Sequence, residues 1–165
     1  MQFLAPLWGF AGVTLLLGSA IWRLTPRAME ALSSSLSVFQ IVVLVVWAVF
    51  MAVGEGYRGF QKRFSPRTAA RVRYLRDRPS LLRTLLAPFF AMGYFHARRK
   101  TQITAICLTL GIVILVILVS QCPQPWRGII DFGVVLGLTW GWISFAIFTF
   151  QALTRQDFGH SPETP

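Results

Sequence analysis

The run from Glu55 to Thr101 reads EGYRGFQKRFSPRTAARVRYLRDRPSLLRTLLAPFFAMGYFHARRKT and carries twelve Lys or Arg residues against two acids. Its net charge of +10 equals that of the whole 165-residue protein. Directly before it stands LSVFQIVVLVVWAVFMAV (36–53), and just after it ITAICLTLGIVILVILVS (103–120), both without a formal charge. Apolar runs of this length with no polar face are the pattern of membrane-spanning helices. Cationic segments next to spans stay on the cytoplasmic side. The run is therefore expected to be a basic cytoplasmic loop, residues 55–101.

Working outward, two more spans are expected at 4–22 and 128–152. Composition agrees, since a chain 55% hydrophobic and 13% charged would expose too much apolar surface as a soluble domain. The expected fold class is an all-α membrane protein, with one transmembrane domain over 1–152 and a polar, unstructured tail over 153–165. Trp8, Trp22 and Trp126 fall where indole rings favour the interface. Gly18-Ser19-Ala20 has the small residues of a cleavage site, but no basic region precedes it, so a signal peptide is not expected. Pro26 is expected to end or begin a helix, and Gly54 and Gly56 to stop the second one. Ser65-Pro66 suits a fresh helix start, leading into Arg67 to Arg78 with Thr68, Val72 and Leu75 on one face.

Thr84 to Ala97 has no formal charge and is interrupted by Pro88. It is short for a span, and spanning would strand Arg98, Arg99 and Lys100 outside. A short amphipathic or re-entrant segment in the cytoplasmic loop fits better. Both termini are then cytoplasmic, and a bacterial inner or plasma membrane is the expected location.

Gly133, Gly137 and Gly141 share one helix face, where small residues let two backbones approach. The motif serves packing within one chain or a homo-oligomer equally well. The cations Arg58, Lys62, Arg63, Arg67, Arg71, Arg73, Arg76, Arg78, Arg98, Arg99 and Lys100 form a candidate surface for anionic lipid headgroups or an acidic partner. Nucleic acid is not expected, because the aromatics are grouped rather than interleaved with the arginines.

Glu55, Tyr57, Arg58 and His96, with Asp77, form a candidate polar site at the cytoplasmic interface. Glu55 at a helix C-terminus would need a compensating cation, for which Arg58 is nearest. Asp131 is expected to pair with Arg127 four residues earlier, and Gln40 to hydrogen-bond between helices. No metal ligand set, cofactor motif or catalytic signature is present: the chain has no HExxH, no G-x-S-x-G and no acidic cluster for phosphotransfer. Cys107 and Cys122 are too far apart on one helix to bond. The leading expectation is a non-catalytic accessory or scaffold subunit. The alternative is a small transporter or lipid-handling enzyme built on the polar site.

Overall fold

The computed structural model describes residues 4–164, and every regular element among them is a helix. Four helical stretches are long and apolar enough to cross a membrane: Leu4–Ser33, Val38–Asp77, Arg99–Ser120 and Trp126–Thr154. The elements are α1 (Leu4–Ser33), α2 (Val38–Met51), a π-helical segment (Ala52–Phe64), α3 (Ser65–Asp77), α4 (Leu81–Leu85), α5 (Ala87–Met92), α6 (Arg99–Ser120) and α7 (Trp126–Thr154).

Helix α1 outruns its apolar stretch and passes through Pro26. Tertiary packing holds those extra turns. Ala28 and Ala31 are buried, and a Cβ on Gly128 of α7 would stand only 2.5 Å from the Arg27 carbonyl oxygen. Helix α2 opens with a reciprocal cap: the Gln40 amide donates to Ser37 Oγ at 3.3 Å, and the Ser37 amide donates to Gln40 Oε1 at 2.9 Å. Two of the orphan donors at the helix start are satisfied this way. Gln40 thus caps its own helix rather than bridging to another.

The glycines at 54 and 56 do not stop the second helix. The chain continues through the π-helical segment into α3, one rod from Val38 to Asp77. Gly56 is buried against Trp140, where an added Cβ would meet the indole Cγ at 2.9 Å. Its role is close approach to α7, not termination. Ser65 and Pro66 likewise sit inside the rod, both buried, with the Ser65 hydroxyl donating to the Gly141 carbonyl at 3.4 Å.

Phe10 stacks on Phe145 at 5.3 Å while Ala31 meets Gly128, so α1 and α7 are antiparallel. The rod runs parallel to α7, as Trp47 bonds the Ile130 carbonyl and Arg76 bonds that of Leu153. The start of α1 and the ends of α3 and α7 therefore share one end of the bundle, and the start of α6 joins them through Arg98 and Glu163. The core lies toward that end. Val13, Leu17, Val72, Ala91 and Phe145 form one buried cluster, and Ala5, Leu75, Ala87 and Phe90 a second.

Between α3 and α6 stand α4, which begins at Leu81 and includes Arg83, and α5, which lies within the charge-free segment; five and six residues long, both are too short to cross a bilayer. Ala87 and Phe90 of α5 enter the second cluster, whereas α4 has no buried residue and is tied to α1 by Trp8, which donates to the Leu85 carbonyl at 3.2 Å. Gly93, with φ 93°, ends α5 in a left-handed turn that glycine adopts without strain. Helix α6 stands apart. None of its most apolar window is buried, and its ties to the bundle lie in its first half, where Thr101 and Ala105 are buried and Thr109 meets Tyr94. A helix apolar on all sides with no protein neighbours is suited to a lipid environment.

Candidate functional site

The eleven candidate cations divide into two sets. Arg58, Lys62, Arg63, Arg78, Arg98, Arg99 and Lys100 are exposed, whereas Arg67, Arg73 and Arg76 are half-buried and Arg71 is wholly buried. The division follows the helix. One face of α3 (Thr68, Val72, Leu75) packs into the bundle, and the neighbouring arginine face meets residues 155–163.

Arg71 is the hub of that face. Its Nε donates to the Phe90 carbonyl at 2.6 Å, one terminal nitrogen to Pro162 at 2.8 Å, and the other to Phe95 at 2.9 Å and His96 at 3.1 Å. The guanidinium also lies over the Phe90 ring at 4.1 Å, a favourable placement for a cation. A fixed fork of donors can serve carbonyls in several directions at once. Arg71 therefore ties α3 to α5, to the linker before α6 and to the tail. It is not available as a surface cation, contrary to the sequence expectation.

Residues 155–164 have no regular secondary structure, as expected of a polar tail, but they lie against α3. Arg73 donates to the carbonyls of Arg155 (3.0 Å) and Gln156 (2.6 Å), and Arg76 to that of Leu153 (2.8 Å). Asp77 keeps both arginines in register, at 3.6 Å from Arg73 and 3.0 Å from Arg76. Farther along, the Arg98 amide donates to the Glu163 carbonyl at 2.9 Å, and the Thr101 hydroxyl to its carboxylate at 2.5 Å. Arg67 faces the same carboxylate at 3.9 Å. The segment 155–164 forms a strap along α3, and residues 156–162 of it enclose an open cavity with Ala70, Arg73, Tyr74 and Asp77.

The candidate polar site does not assemble. Glu55 and Asp77 lie on one continuous rod, roughly 30 Å apart at about 1.5 Å per residue. Glu55 instead packs on Gly137, Tyr57 receives the Lys62 ammonium at 4.6 Å, and Asp77 serves Arg73 and Arg76. His96 offers only its backbone carbonyl to Arg71, from a left-handed conformation at φ 47°. No ion pair joins Glu55 to Arg58 among the described residues, and the helix C-terminus at which Glu55 was expected does not exist, because the helix runs on through it. Arg127 does not pair with Asp131 either: it reaches back to the Ser120 carbonyl, and Asp131 Oδ2 is buried without a hydrogen bond.

The glycine face of α7 is occupied within the chain. Gly133 meets Trp47 and Met51, Gly137 meets Glu55, and Gly141 meets the Phe60 ring. Trp47 further donates to the Ile130 carbonyl at 3.1 Å. That face is filled by α2 and the π-helical segment, leaving no room there for a second copy.

No family model matches the chain, nor does any curated protein or solved structure.

Proposed function

We propose that the protein is a non-catalytic, four-span membrane accessory or scaffold subunit that holds anionic lipid headgroups at the cytoplasmic face. The observation that carries this reading is the separation of roles among its polar groups. Those that chemistry would need to converge are spread along a rod or bonded to backbone. The cations Arg98, Arg99 and Lys100 remain exposed to solvent at the end shared by the start of α1 and the end of α7. Each cation near an anionic surface adds about 1 kcal/mol, so these three contribute about 3 kcal/mol together. Arg58, Lys62 and Arg63 line the exposed side of the π-helical segment, and long basic side chains can reach a headgroup layer from there. The positive-inside rule makes this end cytoplasmic. The paired short helices α4 and α5 then lie at the inner interface, packed on α1 rather than crossing.

The reading is tested by solubilising the protein gently from membranes of mixed phosphatidylcholine and phosphatidylglycerol and measuring the lipids that remain bound. Enrichment of phosphatidylglycerol is expected, falling in Arg98→Gln/Arg99→Gln/Lys100→Gln. Retention of both lipids in their bulk ratio would refute it.

A further inference from the structure

The C-terminal strap makes its contacts in an unusual currency. Three of them run from arginine side chains of α3 to backbone carbonyls, at Arg155, Gln156 and Pro162. Its one acidic contact, Glu163, lies where Arg67, the Thr101 hydroxyl and the N-terminal end of the 22-residue helix α6 come together. Such a constellation suits an oxyanion: a guanidinium, a hydroxyl donor and the positive end of a helix dipole. Arg67 Nε is moreover buried without a hydrogen-bond partner, so this guanidinium is not fully used by the carboxylate. Glu163 reaches the spot only in a left-handed backbone conformation, φ 49°. A non-glycine residue there is strained and must be held by its surroundings.

We infer that the strap is an internal stand-in for the phosphate of an anionic lipid headgroup, and that such headgroups displace it from the arginine face of α3. Glu163 marks the phosphate position. Displacement frees Arg67 and Arg73 to face the inner leaflet, while Arg71 keeps its three carbonyls on α5 and the following linker. The contact surface thereby grows from the constantly exposed cations to a second set released by the lipid itself. A phosphate has more acceptor oxygens and more charge than the single carboxylate it replaces, and it engages a guanidinium in bidentate fashion. The inference rests on the lipid-contact reading above and adds its regulation.

The test uses the full chain in lipid nanodiscs, with Cys107 and Cys122 changed to serine and spin labels placed by Thr164→Cys and Leu82→Cys. In pure phosphatidylcholine a single short distance is expected. Raising the phosphatidylglycerol fraction should convert it to a broad, longer distribution. Glu163→Gln should shift the docked-to-released ratio about tenfold toward release at a given lipid mixture, the lower end for a hydrogen bond to a charged group. Thr101→Val should act in the same direction while leaving the acid in place. Lipids bound to the same discs are counted in parallel. Phosphatidylglycerol enrichment with an unmoved strap overturns the inference and leaves the lipid-contact reading standing. Absence of enrichment, in the parent and in Glu163→Gln alike, overturns the lipid-contact reading itself. Release by inorganic phosphate in phosphatidylcholine discs, as complete as that by phosphatidylglycerol, overturns the lipid assignment and points to a soluble anion.

Discussion

Replacing Arg71 with methionine should be among the most damaging single changes available in this chain. The side chain is completely buried and donates four hydrogen bonds. Bonds of this charged type contribute about 1.5–3 kcal/mol each. Their simple sum overshoots, because a shared donor is not additive and burying a guanidinium carries a desolvation cost. Leaving buried carbonyl acceptors unpaired costs about 1–3 kcal/mol each; offset by the guanidinium's own desolvation cost, which disappears with it, the expected net loss for Arg71→Met is about 3–5 kcal/mol. Methionine keeps contact with the Phe90 ring but leaves the carbonyls of Phe95, His96 and Pro162 without the guanidinium donor, while that of Phe90 retains the Gly93 amide. Arg71→Lys retains the charge, yet one ammonium offers its three donors from a single point and cannot reproduce the fork. Its loss should be intermediate. Arg99→Met, at an exposed position, should change stability by no more than about 0.5 kcal/mol. Reversible unfolding in mixed micelles, followed by tryptophan fluorescence, measures all three. If Arg71→Met and Arg99→Met unfold at the same denaturant level, the hub does not exist as described.

Gly141→Ala puts a Cβ 2.7 Å from Phe60 Cδ2, with two other ring carbons nearer still, and should cost about 1–3 kcal/mol by overpacking. Gly111→Ala in α6 meets nothing within 4 Å and should be neutral or gain about 0.5–1 kcal/mol of helix propensity; equal effects in the same unfolding assay would contradict the packing of α7. Ser37→Ala removes one half of the reciprocal cap on α2 and should cost about 1 kcal/mol by thermal denaturation, whereas an unchanged midpoint would show the cap to be idle. In intact cells, an impermeant thiol reagent should label Ser34→Cys and Gln121→Cys but not Leu82→Cys, in a background lacking the native cysteines. Labelling at Leu82→Cys from outside would reverse the proposed orientation.

Much of the architecture was legible before any coordinates. Uncharged apolar runs must bury their backbone polar groups in helices to enter a bilayer, so the four long helices follow from hydropathy alone. Thr68, Val72 and Leu75 could be placed on one face of α3 by period, and they are buried there. Pairwise features fared less well. A glycine beside a charged residue reads as a helix stop, but Gly56 serves to let the Trp140 ring approach. Arg58 and Arg127 stand at plausible spacing from an acid, but neither forms that ion pair among the described residues. Such choices depend on which face a neighbouring helix covers, and spacing along one helix does not contain that information.

The amino-acid order by itself determined the number of apolar helices and the concentration of positive charge in one segment, because hydropathy and charge are summed over local windows. Only the tertiary structure decided which arginines remain exposed. Arg71 and Arg73 are held by main-chain carbonyls of the segment 155–164, and Arg76 by that of Leu153 at the end of α7. Every residue has a carbonyl, so nothing in the letters from Leu153 to Thr164 marks them as partners. The folded path of the chain brings them there, and it turns part of a basic loop into a covered face.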